Sequence, residues 1–521
     1  MRKRSLHNEA SNNEVRGSDV SAYGRIYTVD IPKGQSYIYK PTYPPTLEVS
    51  TTIHEYDDNG IVASLDDGVL KVSPVPDAPT GPYDLILKAE TEKPKQTAYQ
   101  HIRFFVTKPL LSMLEGSVLN IETVLRKDAI EFLSGFRDDT STIKIICGVR
   151  RCGKSTLMMQ YIDELKMSGV KDSNIVFMNL ELSKYTHITD SKELMTEIQK
   201  QMGEGRNYIL IDEVQNVDGW ERAINAIRAD GNSDIYLTGS NSNLLSSELA
   251  THLAGRYVSH EIFPLSFKEY LELNGNGEDK HEMFERYLEY GAFPSIDPFE
   301  SEGQIRNRLS DLYDSIILRD VISRGKIKDP AQLEKIAKFM MINIGNPISV
   351  GNIVKETNVD RKTVEKYMRL LEEANIFYRA DRFDIKGTSL NPNPKYYAVD
   401  TGLRNMPLDY TTEDYGRLME NIVYLELKRR GYVVTVGKYG DKEIDFTVKT
   451  PKGHVYYQVT RSMLKESVQE RELTPLRAIN DNYPKVVISS DRQKADFRGG
   501  VKHINIVDWL LDIEEDSIRN Y

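Results

Sequence analysis

The octet GVRRCGKS at residues 148–155 constrains the fold of this chain more than any other feature. Its spacing, Gly, four residues and Gly-Lys-Ser, is that of a loop whose backbone N–H groups surround phosphate oxygens. A β-branched run, TIKIIC, precedes the octet, and STLMMQYIDELK continues from its Ser with the apolar spacing of a helix. This order predicts a strand, a phosphate-binding loop and a helix whose positive N-terminal end faces the anion.

The residue types of the loop predict a site for ATP and Mg²⁺. Lys154 is expected to reach the β- and γ-phosphates, and the Ser155 hydroxyl is expected to bind Mg²⁺. The predicted nucleotide-binding residues of the loop are Gly148, Val149, Arg150, Arg151, Cys152, Gly153, Lys154, Ser155 and Thr156.

A second motif, NYILIDE at 207–213, reads as an apolar strand that ends in two acids. Asp212 suits a Mg²⁺-binding carboxylate, and Glu213 is placed to orient and polarise the attacking water. Another strand, NIVFMNL at 174–180, lies between the two motifs in the chain. This intervening strand and the glutamate next to Asp212 are typical of the hydrolytic P-loop proteins.

Polar residues also end a fourth strand, DIYLTGSN at 234–241. Open α/β sheets bind ligands at the carboxyl ends of their strands, so Thr238, Ser240 and Asn241 are candidates to contact the γ-phosphate or the water. Arg256, in AGR at 254–256, is a candidate transition-state arginine that acts on a neighbouring subunit or within its own. A surface ion pair is the alternative for this arginine.

Composition predicts a cytoplasmic protein of several domains. Of its 521 residues, 40% are hydrophobic and 28% charged, and no apolar run is long enough to span a membrane. The two cysteines, Cys147 and Cys152, are too few for a disulfide framework. A net charge of −10 requires any nucleic-acid surface to be local.

The predicted organisation begins with a disordered tail at 1–20 and a β-sandwich at 21–110, in which short alternating strands favour an immunoglobulin-like or cadherin-like adaptor. This sandwich is a candidate surface for an unknown protein partner. The P-loop core is predicted at 118–270, a helical linker or lid at 271–330, a winged helix-turn-helix at 331–388 and a nuclease-like domain at 395–521. The expected fold class is therefore multidomain α/β, with a parallel sheet in the P-loop core.

The predicted recognition helix, VDRKTVEKYMRLLEEAN, begins at Val359-Asp360, with Asp360 as its N-cap and IFYRADRFD following as wing strands. Arg361, Lys362 and Lys366 occupy the early turns that would enter a major groove of DNA. Nearby glutamates dilute this charge, and winged helices also serve as protein-packing modules. The pattern leaves both roles open.

The last domain has an α-β-β-β-α-β order, which is the core of the restriction-endonuclease-like fold. Glu420 and Asp445 match its metal-binding acids, but Gln458 and Thr460 stand where Glu and Lys are expected. An amide carries no charge to hold Mg²⁺, and Thr cannot replace the lysine cation. The sequence predicts a vestigial site that does not cut, with Lys442 or Lys465 as possible substitutes for the missing cation.

Residues 118–521 resemble a widespread family of prokaryotic AAA-type ATPases that join a P-loop domain to a winged helix and a degenerate nuclease-like domain. The shared motifs are GVRRCGKS, ILIDEVQ, LTGSNSNLL, LAGR, PLSFKEY, GAFP, INIGNPIS, DIKG, KYYAVDTGLRN, ENIVYLEL, EIDF and YYQVT. The resemblance implies ATP binding and hydrolysis through Lys154, Ser155, Asp212 and Glu213. It does not supply a biological role, and the N-terminal sandwich departs from the family pattern.

The favoured interpretation is an ATP-driven switch that rearranges the winged helix and the nuclease-like domain around a partner, with DNA as one candidate. An Arg256 that acts in trans would require a homo-oligomer. The alternatives are an ATP-gated DNA nuclease and a protein-binding regulator in which ATP holds one conformation without hydrolysis.

Overall fold

The computed structural model of the chain divides into two compact units, Met1–Glu122 and Thr123–Tyr521. It describes residues 27–32, 37–39, 49–56, 61–66, 69–74, 81–92, 95–107, 123–240, 255–275, 277–385, 393–408, 410–492 and 496–513. The predicted tail at 1–20 and the candidate Asn241 lie outside these ranges. Within them, no helix combines the length and the apolar character needed to cross a membrane.

Two sheets make up the described part of the N-terminal unit. The strands are β1 (Tyr27–Pro32), β2 (Tyr37–Tyr39), β3 (Val49–Tyr56), β4 (Ile61–Asp66), β5 (Val69–Pro74), β6 (Gly81–Glu92) and β7 (Lys95–Thr107). Their orders are β1-β7-β6-β3 and β2-β5-β4. Alternate residues are buried on one strand of each sheet, Leu70 and Val72 on β5 and Leu85 and Leu87 on β6. These alternating residues lie on one side of their strands. The immunoglobulin-like or cadherin-like topology stays a prediction.

A five-stranded parallel sheet forms the centre of the second unit. Its strands are β8 (Ile143–Cys147), β9 (Ile175–Asn179), β10 (Asn207–Asp212), β11 (Ser233–Gly239) and β12 (Tyr257–Glu261), in the order β12-β8-β11-β10-β9. All neighbouring pairs are parallel. The predicted parallel sheet is confirmed. In space, however, the strand between β8 and β10 is β11, whereas β9, which intervenes in the chain, lies at the sheet edge.

Helices cover both faces of this sheet: α1 (Lys127–Gly135), α2 (Lys154–Met167), α3 (Ser191–Gln201) and α4 (Trp220–Ala229). On one face, alternate apolar residues of β8 to β11 pack in a single cluster with buried residues of α3 and α4. On the other face, the ring of Tyr161 of α2 packs against that of Tyr236 of β11 in a tilted arrangement, with 4.8 Å between ring centroids. Strands buried on both faces explain their near-continuous apolar sequences.

Further helices follow the sheet: α5 (Phe267–Asn274), α6 (Lys280–Tyr290), α7 (Glu302–Tyr313), a π-helical segment (Asp314–Val321), α8 (Ile322–Gly325), α9 (Pro330–Ile342), α10 (Val350–Thr357) and α11 (Arg361–Glu373). Pro330 lies in the first turn of α9, where its missing N–H costs nothing. The predicted N-cap of α11 is confirmed, because the Asp360 carboxylate accepts the backbone N–H of Thr363 at 3.0 Å.

The strands after α11 differ from the predicted wing. β13 (Phe377–Ala380) pairs antiparallel with β15 (Lys395–Ala398), which lies beyond the predicted end of the winged helix. β14 (Arg382–Asp384) pairs instead with β16 (Val433–Tyr439) in the C-terminal sheet. The expectation that IFYRADRFD supplies both wing strands is therefore wrong: a single residue, Asp381, separates β13 and β14, too short a connection for a hairpin between them.

The C-terminal layer contains α12 (Thr401–Asn405), α13 (Tyr415–Arg429), β16, β17 (Lys442–Thr450), β18 (Gly453–Val459), α14 (Glu466–Ala478), β19 (Lys485–Ser489), β20 (Asp496–Arg498), β21 (Val501–Asn505) and α15 (Ile506–Leu510). The sheet order is β14-β16-β17-β18-β19-β21-β20. From α13 to β19 the elements follow the predicted α-β-β-β-α-β order.

An ion pair between Lys144 of β8 and Asp234 of β11 is fully buried at the amino-terminal end of the parallel sheet. The Lys144 ammonium also donates to the carbonyl oxygens of Asp139 at 2.6 Å and Thr142 at 3.0 Å. Asp234 accepts from the backbone N–H of Asp138 and from the Tyr236 hydroxyl, each at 2.8 Å. Burial raises the pKa of Asp234, and Lys144 opposes that rise.

Lys144→Met is expected to lower the free energy of unfolding by about 3–5 kcal/mol, because it leaves the Asp234 carboxylate buried without its cation. The loss should be larger at pH 8 than at pH 5, since the carboxyl binds a proton in the folded state as the pH falls and no longer carries the unpaired charge. Urea denaturation measures both quantities. Arg361→Met, which breaks the exposed Arg361–Glu365 pair, is the control and should cost at most about 1 kcal/mol. Equal effects of the two variants would contradict the prediction.

Candidate functional site

The loop between β8 and α2 curls through residues with positive φ. The values are 148° at Gly148, 65° at Arg151 and 105° at Gly153. A Cβ atom at Gly148 would lie 2.2 Å from the carbonyl oxygen of Ile262, so position 148 tolerates no side chain. This close approach explains why the loop needs glycine there. The loop then leads directly into α2 at Lys154.

Lys154 points into a buried polar centre. Its ammonium donates to the carbonyl oxygens of Gly148 at 3.3 Å and Val149 at 3.2 Å, and lies 3.4 Å from Glu213 Oε1. Burial alone would lower the pKa of Lys154, but Cys152, Glu213 and Asp212 together raise it above its ordinary value. The ammonium is thus charged and held at the carboxyl edge of the sheet, where a phosphate would meet it.

Asp212 ends β10 and is completely buried. Its carboxylate accepts hydrogen bonds from the Thr238 hydroxyl and from Asn179 Nδ2, the latter at 3.0 Å, and the Ser155 hydroxyl is also a partner. Burial raises the pKa of Asp212, while the Ser155 and Thr238 hydroxyls lower it. Ser155 and Asp212, the two predicted metal-binding residues, therefore lie together, and their oxygens are the ligand type that Mg²⁺ prefers.

Glu213 follows with φ 57°, a left-handed conformation that is uncommon for a residue with a side chain. Its backbone N–H donates to Thr238 Oγ1 at 3.0 Å. Its carboxylate accepts from the Ser240 hydroxyl at 3.1 Å and from Gln215 Nε2. Two neighbouring elements therefore fix the carboxylate beside Lys154, and the strained turn is of the kind that clusters at functional sites.

The other predicted loop residues surround this centre. Val149 and Cys152 are completely buried, and Arg150 forms an ion pair with Glu181 at 2.7 Å. Burial raises the pKa of the Cys147 thiol to about 12, so this cysteine is an unreactive thiol. The side chains of Ser155 and Arg151 lie on the exposed side of the loop, and Thr156 is half-buried.

Two residues of the site were not singled out from the sequence. Asn179 ends β9, and the parallel register places it opposite Asp212. Gln215 lies two residues beyond Glu213 and turns back to it through a 3-10 helix at Val214–Asn216. The position of Asn179 at a strand end was a usable signal. The contact of Gln215 with Glu213 depends on the left-handed backbone conformation of Glu213, which the sequence does not indicate.

Arg256 lies at the opposite end of the sheet from the loop in its own subunit. Its carbonyl oxygen accepts the N–H of Ile143, the first residue of β8, whereas the loop leaves β8 after Cys147. The exposed guanidinium donates to Asn225 Oδ1 at 3.4 Å. Within its own subunit, Arg256 is therefore separated from Lys154 by the length of β8.

Comparison with known proteins agrees with this geometry. Residues 140–271 match the family described as AAA domain, and residues 281–414 match a family described as a domain of unknown function. An uncharacterized protein of Haemophilus influenzae is 39% identical over 399 residues, which are 74% of this chain and 98% of that protein. The chain belongs to its family. Residues 140–271 therefore form an AAA-type P-loop ATPase domain, a fold that implies the use of nucleotide and usually of Mg²⁺.

A second relative, an uncharacterized protein of Methanocaldococcus jannaschii, is 31% identical over 327 residues, 59% of this chain and 72% of that protein. Among solved structures, the Aeropyrum pernix ORC1 protein in complex with DNA is 11% identical, with a TM-score of 0.27 over 56% of this chain and 94% of that chain. AMPPCP-bound DnaA from Aquifex aeolicus is 18% identical, with a TM-score of 0.24, and the match covers 47% of this chain and 85% of that chain. Likeness at this level carries no argument about partners.

Outside the AAA domain, the predicted DNA-contacting residues on α11 are partly engaged within the protein. Lys366 Nζ donates to the carbonyl oxygen of Gly325 at 3.0 Å, and Arg361 pairs with Glu365 at 2.8 Å. Lys362 is exposed. A Cβ atom at Gly325 would lie 2.6 Å from Leu370 Cδ1, so this face of α11 packs against the end of α8.

The acids of the predicted vestigial site meet a cation that the sequence did not suggest. Lys395, at the start of β15, is buried and lies 3.0 Å from Glu420 Oε1 and 2.8 Å from Glu443 Oε1. Burial alone would lower the pKa of Lys395, but Glu420, Asp445 and Glu443 raise it above its ordinary value. The cations at this cluster are therefore Lys395 and Arg382, which also pairs with Glu443, rather than Lys442 or Lys465, the two candidates from the sequence.

The remaining residues of the predicted vestigial site are engaged by neighbouring groups of the C-terminal layer. Burial raises the pKa of Asp445 well above its usual range, Glu420 adds to the rise and Lys395 opposes it. Asp445 Oδ2 accepts the N–H of Val459 at 2.8 Å, and Gln458 Nε2 donates to Glu472 at 2.9 Å. Thr460 is buried, with its N–H donating to Ile488 at 3.0 Å. Throughout the described ranges, no group of three or more His, Cys, Asp or Glu side chains could hold a metal ion.

The full-length protein is expected to leave plasmid and single-stranded DNA intact with Mg²⁺ or Mn²⁺, with and without ATP. The reason is that the Lys395 ammonium lies among the carboxylates that a metal ion would need. Gel electrophoresis after long incubation measures any cleavage. Cleavage that disappears in Asp445→Ala would contradict this expectation, whereas cleavage that persists in that variant identifies a contaminating nuclease.

Proposed function

We propose that the chain is a Mg²⁺-dependent ATPase whose turnover rearranges its helix-turn-helix and C-terminal α/β layer around a partner. The carboxylate of Glu213 carries this proposal. It is held by Ser240 and Gln215, next to the charged Lys154 and one residue from the buried Asp212. A carboxylate in such a place suits a general base for an attacking water.

Each residue then has a stated role at the proposed site. Lys154 and the N–H groups of the loop bind the phosphates, and Ser155 with Asp212 holds Mg²⁺, which neutralises phosphate charge when bound. Glu213 orients the water and takes its proton. Thr238 donates to Asp212 and accepts from the Glu213 N–H, so that one hydroxyl fixes both acids relative to each other.

For residues 331–388 we propose a winged-helix module that packs within the protein. The support is the Lys366–Gly325 hydrogen bond and the Arg361–Glu365 pair, which occupy two of the three basic side chains suggested for DNA. DNA contact through Lys362 and its surroundings is the alternative. It would show as duplex binding that weakens steeply with salt and with charge reversal at Arg361 and Lys362.

For the C-terminal layer we propose a restriction-endonuclease-like fold used for docking. The α-β-β-β-α-β order supports the fold, and the Lys395 ion pairs disfavour the ATP-gated nuclease. The third interpretation, a regulator that binds ATP without hydrolysing it, differs in turnover and is separated by the experiment on Glu213.

Glu213→Gln is expected to retain ATP affinity and to reduce turnover by about 100-fold or more, because an amide can keep the contacts to Ser240 and Gln215 but cannot take a proton. Lys154→Ala should lose nucleotide binding. Phosphate release and equilibrium binding of a fluorescent ATP analogue measure the two effects. Glu221→Gln, an equivalent change in the first turn of α4, is the control. Unchanged turnover in Glu213→Gln would remove this residue from the mechanism.

Arg256→Ala is expected to keep nucleotide affinity and to lose turnover by about 10³-fold, if the arginine completes the site of a neighbouring subunit. Mixing Arg256→Ala with Lys154→Ala protein should recover activity, since a mixed oligomer joins an intact loop to an intact arginine. Asn225→Ala, which removes the arginine's partner within its own subunit, should have little effect. Normal turnover of Arg256→Ala alone would assign it to the surface.

A further inference from the structure

The phosphate-binding loop rests on two segments that lie outside it in the chain. At its start, Gly148 approaches the carbonyl oxygen of Ile262, and the N–H of Ile262 donates to Cys147 at 2.8 Å. At its end, a Cβ atom at Gly153 would lie 4.0 Å from Pro294 Cγ. The two supporting segments are joined by a hydrogen bond from the N–H of Leu265 to the carbonyl of Ala292 at 2.9 Å.

The second supporting segment is held by Asp400, which follows β15. The Asp400 carboxylate accepts the N–H of Ala292 at 2.6 Å and the N–H of Leu403 at 2.8 Å. Its exposed fraction is 2%. Burial raises the pKa of Asp400 to about 6, and the hydrogen bonds from Leu403, Ala292 and Gly402 oppose that rise.

Glycines on both sides allow this contact. Gly291 has φ 77°, and a Cβ atom there would lie 2.1 Å from Asp400 Oδ1. A Cβ atom at Gly402 would lie 2.0 Å from the carbonyl oxygen of Tyr290. The segments 290–292 and 400–403 therefore fit together with no room for a methyl group on either side. A carboxylate that merely capped the short helix α12 would need none of this fit.

Two further contacts tie the first supporting segment to the C-terminal layer. The Tyr378 hydroxyl donates to Glu261 Oε1 at 2.9 Å, and Arg429 Nη2 donates to the carbonyl of Pro264 at 3.1 Å. Both segments beneath the loop are thus fixed by residues that lie more than a hundred positions further along the chain.

We propose that Asp400 is a positioning residue for the phosphate-binding loop. It holds Ala292 and thereby keeps Pro294 beside Gly153, so that the AAA domain depends on the C-terminal layer for the shape of its nucleotide site. The expected effect on ATP turnover rests on the ATPase function proposed above. The contact between Asp400 and Ala292 can be tested without measuring turnover.

Asp400→Asn in the full-length chain tests the proposal. The amide is neutral, and its NH₂ group would face backbone N–H groups that need an acceptor. We expect the KM for ATP to rise about tenfold or more with a smaller change in kcat, since Asp212 and Glu213 are not altered. Asp491→Asn is the matched control. Asp491 is also buried and accepts a backbone N–H, that of Met463 at 2.6 Å, within the C-terminal layer. Equal effects of the two variants, or an unchanged KM in Asp400→Asn, would overturn the proposal.

Hydrogen exchange of the nucleotide-free protein separates this proposal from the ATPase proposal. Asp400→Asn should speed exchange at residues 148–153 and 291–293, whether or not the wild-type protein hydrolyses ATP. Gly291→Ala should do the same from the other side, with Gly303→Ala, where nothing lies within 4 Å, as its control. If Asp400→Asn does not fold, Gly291→Ala carries the test. Unchanged exchange of the loop in a folded variant would refute the contact as a support of the loop.

Discussion

The parallel register of β8, β10 and β11 is the constraint on which the candidate site depends. It brings the carboxyl ends of these strands to one edge of the sheet, where Lys154, Asp212 and Thr238 meet although they are far apart in the chain. Since the three side chains are buried, each must find a partner of opposite charge or a hydrogen bond. The ion pair of Lys154 with Glu213 and the hydrogen bonds of Thr238 meet this requirement. The lysine and the two acids that they involve are also the residues predicted to act on the phosphates and on Mg²⁺.

The second buried charge centre, around Lys395, follows the same physical rule with a different result. Carboxylates from α13 and β17 converge there, and Lys395 of β15 and Arg382 of β14 pair with them. Such a cluster is satisfied internally, so that it has less affinity for a metal ion than the same acids without the lysine.

Much of the parallel sheet could be predicted from the sequence, because β8 to β11 are continuous apolar runs that end in polar residues. The loop residues and both acids were identified from local spacing alone. Pairings between distant segments could not be predicted in this way. The pairing of β13 with β15 has no signal in the local sequence, and neither has the position of Lys395 beside Glu420. Both depend on contacts between segments that are far apart in the chain. The location of Arg256 at the far end of β8 likewise required the register of β12.

The interlocked glycines at 291 and 402 have a consequence for how this protein can change over time. A side chain at position 402 would collide with the carbonyl oxygen of Tyr290, and one at position 291 would displace the Asp400 carboxylate from its hydrogen bond with Ala292. Both positions lie within residues 281–414, so the interlock joins two segments of that one region. A chimaera joined between positions 291 and 402 takes the two fitted segments from different proteins, and it folds only if those segments still match.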